Sequence, residues 1–231
     1  MLAKAIEPIS NKNNLVLSYN GGKDSCVIFY LVQALFSKSG NPILEYLQDQ
    51  GYESELGEIN SYRESFKIDQ WRYIFFQYNQ EEEFSEIIDY MDQIELDYSI
   101  VIEKCTNKIK DDLETLVSEH DVSTVILGNR RTDPYSETLL HVQKSSEGWP
   151  DFTRIHPILD WSYWDVWKFI KFFNFKVCVL YDQGYTSLGL ISNTRKNPYL
   201  IKKMGSGDSP NEYYPAWYLH DASKERESRN K

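Results

Sequence analysis

The sequence predicts an α/β protein, a parallel sheet with helices on both faces followed by an irregular C-terminal lobe. Three observations carry that expectation. Short apolar or β-branched runs alternate with helical stretches at the spacing of right-handed βαβ units. A paired-glycine turn, Gly21-Gly22, joins the first such run directly to an apolar helix. Beyond about residue 175 the periodicity gives way to turn-rich segments. The reading is one domain over residues 1–231, with a core at 15–175 and a lobe at 176–231.

In chain order, Leu15 to Leu17 reads as a short buried strand and Cys26 to Phe36 as an almost wholly apolar helix. Gly40 to Trp71 is polar and weakly periodic, which predicts an insertion outside the sheet, partly helical, with Leu44 to Leu47 as a short strand or turn. Tyr73 to Tyr78 is the second predicted strand. Gln80 to Gln93 follows as a helix whose acidic first turn suits the macrodipole. Tyr98 to Ile102 is the third strand. Asn107 to His120 is an amphipathic helix, with Ile109, Leu113, Leu116 and Val117 on one face. Thr124 to Leu127 is the fourth strand, ending at Gly128. Ile155 to Leu159 reads as another strand, and Ser162-x-x-Asp165 is a capping box opening a helix through Phe173. Trp161, Trp164 and Trp167, three apart, are expected in the core. Lys202 to Asn211 is expected to be a polar loop, and Ala222 to Arg229 an exposed charged helix.

Composition excludes several classes. With 35 acidic against 25 basic residues, the chain suits neither nonspecific nucleic-acid binding nor an anionic membrane surface. No run approaches the ~18 apolar residues of a membrane span. Cys26, Cys105 and Cys178 are isolated, which points to a reducing, cytoplasmic setting and away from structural zinc or iron–sulfur clusters. Met1 to Asn14 lacks a secretory core and reads as a frayed helix. The 17 Tyr, 11 Phe and 6 Trp serve the core first, and also suit a flat aromatic ligand.

The chemistry-bearing stretch is Ser18-Tyr19-Asn20-Gly21-Gly22-Lys23-Asp24-Ser25. Strand, glycine turn and helix N-terminus together make an anion site of converging backbone amides. Gly21 and Gly22 can adopt positive φ and let backbone approach a phosphate. Lys23 adds a point charge. Asp24 beside phosphates makes sense if a divalent cation bridges the two. Asn-Gly alone would read as an ordinary turn; the residues around it favour a phosphate loop, though not a Walker A motif. A second constellation, Gly128-Asn129-Arg130-Arg131-Thr132-Asp133-Pro134, also follows a strand. It offers a glycine for close approach, arginines for phosphate and an aspartate for metal, although Asp-Pro also starts plain turns.

The first motif resembles the pyrophosphate loop of the adenine-nucleotide α-hydrolase-like superfamily, whose Rossmann-like members cleave ATP between its α- and β-phosphates. Taken with Trp149-Pro150-Asp151-Phe152, Arg154-Ile155-His156-Pro157-Ile158 and Leu180-Tyr181-x-x-Gly184-Tyr185-Thr186-Ser187-Leu188-Gly189, the order looks like the eukaryotic FAD synthases of the phosphoadenosine-phosphosulfate-reductase-like family. The likeness runs from about Leu15 to Arg229. It implies Mg²⁺-dependent adenylyl transfer from ATP to FMN, giving FAD and pyrophosphate; the chain is expected to be a monomer with small-molecule partners, and not to bind nucleic acid or membrane. It places Ser18 to Ser25, Gly128 and Arg130 at ATP and pyrophosphate, and Asp24 and Asp133 at the metal. Trp149 and Asp151 fall at the flavin, and Arg226 and Arg229 at phosphate groups of the FMN site. Asn20, Asp24, Asp133, Arg226 and Arg229 fall on the catalytic positions. For the arginine pair, sequence physics alone favours a solvated helix face. Asn129 and Asn79 depart from the family's usual aliphatic and acidic residues.

The residue types suit that reaction. An FMN phosphate is already an oxygen nucleophile, so catalysis needs charge neutralisation and in-line placement rather than a general base. The four histidines show no ligand spacing. A reductase of the same family would need a nucleophilic cysteine near the C-terminus, and none follows Cys178. A tRNA-modifying ATPase would call for basic patches or cysteine pairs. A non-catalytic nucleotide- or flavin-binding module is the alternative from another class, and turnover separates it.

Overall fold

The computed structural model describes residues 14–37, 40–65, 71–203 and 212–229. The expected N-terminal frayed helix and most of the expected 202–211 loop lie outside them. The chain divides into two compact units, each assembled from separated stretches. The first holds the chain up to Asn20, Asp24–Gln77 and Val101–Trp161; the second holds Gly21–Lys23, Tyr78–Ile100 and Ser162–Lys231.

The first unit is built on a six-stranded sheet in the order β3-β2-β1-β4-β6-β5. Its strands are β1 (Leu15–Ser18), β2 (Trp71–Phe75), β3 (Ile102–Lys104), β4 (Thr124–Ile126), β5 (Val142–Lys144) and β6 (Thr153–Ile155). All neighbours are parallel except β5, which runs antiparallel to β6 at the edge. Alternate strand residues face opposite sides. Val16, Ile74 and Val125 pack with Leu113 and Leu116 of the helix Ile109–Glu119 on one side. On the other side Tyr73 meets Phe29 of α1 (Lys23–Phe36) at 5.7 Å between ring centroids and accepts a hydrogen bond from Gln33. Helices therefore cover both faces, as the alternation predicted. The near-continuous apolar run of α1 has its reason in burial: Cys26 to Val32 are all 4% exposed or less.

Several boundaries differ from expectation. The 40–71 stretch holds two helices, α2 (Pro42–Asp49) and α3 (Glu53–Ser65), so Leu44 to Leu47 is helical rather than a strand or turn. Asn41 caps α2 by accepting the Ile43 amide at 3.0 Å, with Pro42 in the first turn where its missing N–H costs nothing. The helix expected at 80–93 is α4 (Ser85–Tyr98), because Asn79 spends its carbonyl on the amides of Glu82 and Glu83 in a preceding turn. Ser99 then ends α4 in the left-handed region, φ 52°, and pushes the third strand to Ile102–Lys104. The amphipathic helix, α5, is Ile109–Glu119 as described above. Strand β6 precedes the expected Ile155 to Leu159, and β5 was not foreseen.

The second unit contains α4, α6 (Tyr163–Phe172) and an antiparallel pair, β7 (Ile201–Lys203) with β8 (Glu212–Tyr213). The capping box of α6 is present, Ser162 and Asp165 bonding each other's backbone. Of the expected core tryptophans only Trp167 is fully buried, against Tyr181 and Trp217. The predicted exposed helix at 222–229 is corrected: Ala222–Ser228 is 3-10 helical, with Glu225 and Ser228 buried. Side-chain and backbone groups from 186–197 hold it. Thr186 Oγ1 donates to the Glu225 carbonyl at 2.6 Å, Asn197 to the Lys224 carbonyl at 2.8 Å, and the Ser187 amide to Ser228 Oγ at 3.0 Å.

Candidate active site

In the first unit the phosphate-loop residues Asn20, Asp24 and Ser25 lie at the carboxyl end of β1, where open α/β sheets bind ligands. Ser25 Oγ donates to Asn20 Oδ1 at 2.9 Å, closing the loop on itself. Arg130 is 1% exposed, and its Nε sits 2.8 Å from Asp24 Oδ1. Arg130 thus holds the carboxylate rather than presenting its guanidinium outward. Asp133 is turned inward too, its Oδ2 accepting the Arg130 amide at 2.8 Å. Gly128 supplies the close approach expected of it, but toward the loop's own backbone. A Cβ there would stand 3.2 Å from the Ser25 nitrogen and 3.3 Å from the Asp24 carbonyl carbon. Arg131 departs to Asp160 and the carbonyls of Glu137 and Leu139. Asn129 is half-buried.

The same unit contains a cavity of about 320 Å³ with a mainly apolar lining. Ser18 from the nucleotide set and Trp149 from the flavin set both line it, with Phe76, Leu127, Phe152 and Arg154. Asp151 is not among its lining residues; it is exposed and accepts from Lys144 Nζ at 2.6 Å. Tyr19 is a core residue, 0% exposed, with its ring 5.2 Å from Phe29 and its hydroxyl against Cys26. Only its backbone can reach a ligand.

In the second unit Gly21 has φ +71°, and a Cβ there would lie 3.3 Å from Ile87 Cγ2. Gly22, contrary to expectation, is not among the positive-φ glycines. The Lys23 amide donates to the Tyr181 hydroxyl at 2.8 Å, and its buried Nζ lies 2.5 Å from Glu225 Oε1. Arg229 is half-buried; its Nη1 donates to the Leu188 carbonyl at 2.5 Å over Gly189, whose absent Cβ leaves the space. Arg226 is exposed. Burial raises the Glu83 carboxyl above the usual range, against the pull of the Arg229 charge.

The phosphoadenosine phosphosulfate reductase domain matches residues 14–196. The chain belongs to that domain family. The Schizosaccharomyces pombe protein named "Probable FAD synthase" is 33% identical over 217 residues, covering 94% of this chain and 71% of its own. The Saccharomyces cerevisiae flavin adenine dinucleotide synthase is 32% identical over 149 residues, 48% of this chain and 49% of that protein. The crystal structure of Candida glabrata FMN adenylyltransferase with FMN and an ATP analog superposes with a TM-score of 0.73. It covers 99% of this chain and 87% of that one at 24% identity, which fixes the shared fold.

For this reductase-domain family member, four residues of interest escaped the sequence reading. Glu225 and Glu83 each look like one more surface acid in a charged run. Tyr181 and Gly189 stood inside a quoted motif, yet nothing local announced that one receives the Lys23 amide and the other makes room for Arg229. Their signal is tertiary.

Proposed function

We propose that this chain is an FMN adenylyltransferase. The FMN phosphate oxygen attacks the α-phosphorus of ATP; the α–β anhydride bond breaks, pyrophosphate leaves, and FAD forms. The observation that carries the reading is the phosphate loop at the end of β1 with Asp24 held by buried Arg130, in a chain 33% identical over 94% of its length to the Schizosaccharomyces pombe protein named "Probable FAD synthase". Loop amides bind the leaving phosphates, and Arg226 and Arg229 offset charge on the FMN phosphate. The cavity receives the isoalloxazine ring against Trp149.

Mg²⁺ fits the site on its donor chemistry. Among the described residues no cluster of three or more metal-ligating side chains occurs. Mg²⁺ bound with nucleotide needs one or two carboxylates besides phosphate and water, and Asp24, already fixed in orientation by Arg130, can supply one. Asp133 is the second candidate. The ion would neutralise charge between triphosphate and nucleophile.

Cys178 gives no support to reductase chemistry. It is buried, its thiol is pushed up to about 11 by burial, and Sγ donates to the Glu86 carbonyl at 3.4 Å. Incubation with Mg-ATP and FMN tests the reading, with FAD and pyrophosphate formed one to one as the expected result. Riboflavin, which lacks the phosphate nucleophile, should give no adenylylated product. Binding of both ligands without turnover would leave a non-catalytic module instead.

A further inference from the structure

Lys23 occupies the position where a phosphate loop would present a positive charge, yet it is 2% exposed and Glu225 only 7%. Their 2.5 Å contact joins residues 202 apart in sequence. The lysine is fixed at both ends. Its amide donates to the Tyr181 hydroxyl, and its ammonium lies 5.6 Å from the centroid of the Tyr163 ring. Glu225 is equally fixed, its carbonyl accepting from Thr186 Oγ1 at 2.6 Å and from Ser228 Oγ at 3.4 Å. Arg226 follows it directly and Arg229 lies one short turn beyond, anchored on Leu188. A carboxylate among these groups would offset the arginines' positive charge unless another cation cancels it. Lys23 is that cation. A buried pair of this kind contributes no net charge, and removing either member takes from the other its countercharge at 2.5 Å.

Resting on the adenylyltransferase reading above, we propose that Glu225 is a positioning residue. It holds the Lys23 ammonium in a buried ion pair and so ties the segment bearing Arg226 and Arg229 to the phosphate loop. Lys23 then serves the reaction through Glu225 rather than by gripping phosphate. The loop contacts phosphate by its amides, and the arginines provide the charge.

The test compares Lys23→Met, Glu225→Met and the double variant, which replaces the pair with apolar side chains of similar length. Each single variant should lose ~10-fold or more in kcat, with KM for ATP within about threefold of wild type. The double variant should regain ~10-fold over the slower single one, because both charges of the pair are removed together. A folded double variant as slow as Lys23→Met, with KM for ATP raised ~10-fold, would place Lys23 on the phosphates and overturn the proposal. A second measurement needs no variant. In the wild-type protein, acetic anhydride labelling read by mass spectrometry should find Lys23 among the slowest lysines to react, with and without Mg-ATP. Labelling at the rate of surface lysines in either state refutes the pair. If wild-type protein makes no FAD, the functional reading fails, while the labelling result still decides the ion pair.

Discussion

At position 189 a methyl group decides whether an arginine can stay where it is. A Cβ there would lie 2.1 Å from Arg229 Nη1, far inside contact distance. Gly189→Ala should therefore displace the guanidinium, lowering kcat/KM for FMN ~10-fold or more with a melting temperature close to wild type. Steady-state kinetics beside a thermal melt checks this, and unchanged kinetics would remove Arg229 from the site. Asp24→Asn keeps the size of the side chain while deleting the charge that faces Arg130, and should cost ~10²–10³ in kcat. A folded Asp24→Asn protein within threefold of wild type would take Asp24 out of the mechanism. Asp24 and Gly128 could be singled out from sequence because their residue types are unusual beside a strand end. Glu225 could not. In Lys224-Glu225-Arg226-Glu227 it looks like part of a solvated face, and its partner lies 202 residues away.

Elements were legible where a local rule decides them, and lost where pairing decides them. The capping box of α6 was readable as written, and Ser162→Ala should destabilise the protein by ~1 kcal/mol in a urea titration. Leu44 to Leu47 reads as a short strand or turn, although Asn41-Pro42 just before it is a cap and first-turn pair that starts a helix. Strand β5 gave no signal, since Val142 and Lys144 are exposed at the sheet edge and nothing alternates with a buried face. Gly57 lies inside α3 with no heavy atom within 4 Å of where its Cβ would sit. Gly57→Ala should accordingly raise stability by ~0.5–1 kcal/mol through helix propensity. A drop would mean that α3 is held by something other than its backbone.

For the whole molecule, His156 ties stability to pH. It is 1% exposed, and neither ring nitrogen has a hydrogen-bond partner among the described residues. Burial, aided by the charges of Arg154 and His141, lowers its pKa from 6.5 to about 4. The unfolded chain then binds more protons between those values, so the contribution is complete above pH 6.5 and is lost as pH falls toward 4. Between neutrality and pH 5 this amounts to ~2 kcal/mol of unfolding free energy. His156→Phe should flatten that part of the stability profile, and an equal slope in both proteins would refute the assignment.

The pairing of Lys23 with Glu225 also bears on the order in which the chain can be made. A ribosome releases Lys23 early, and its countercharge follows only after 202 further residues. Until then the Lys23–Glu225 ion pair cannot form, so that contact is among the last the chain can make. A loop that closes this late adds little to folding speed, since long closures come after local structure. A chain truncated before Glu225 would contain every residue of the loop and still lack the carboxylate that Lys23 meets in the folded protein.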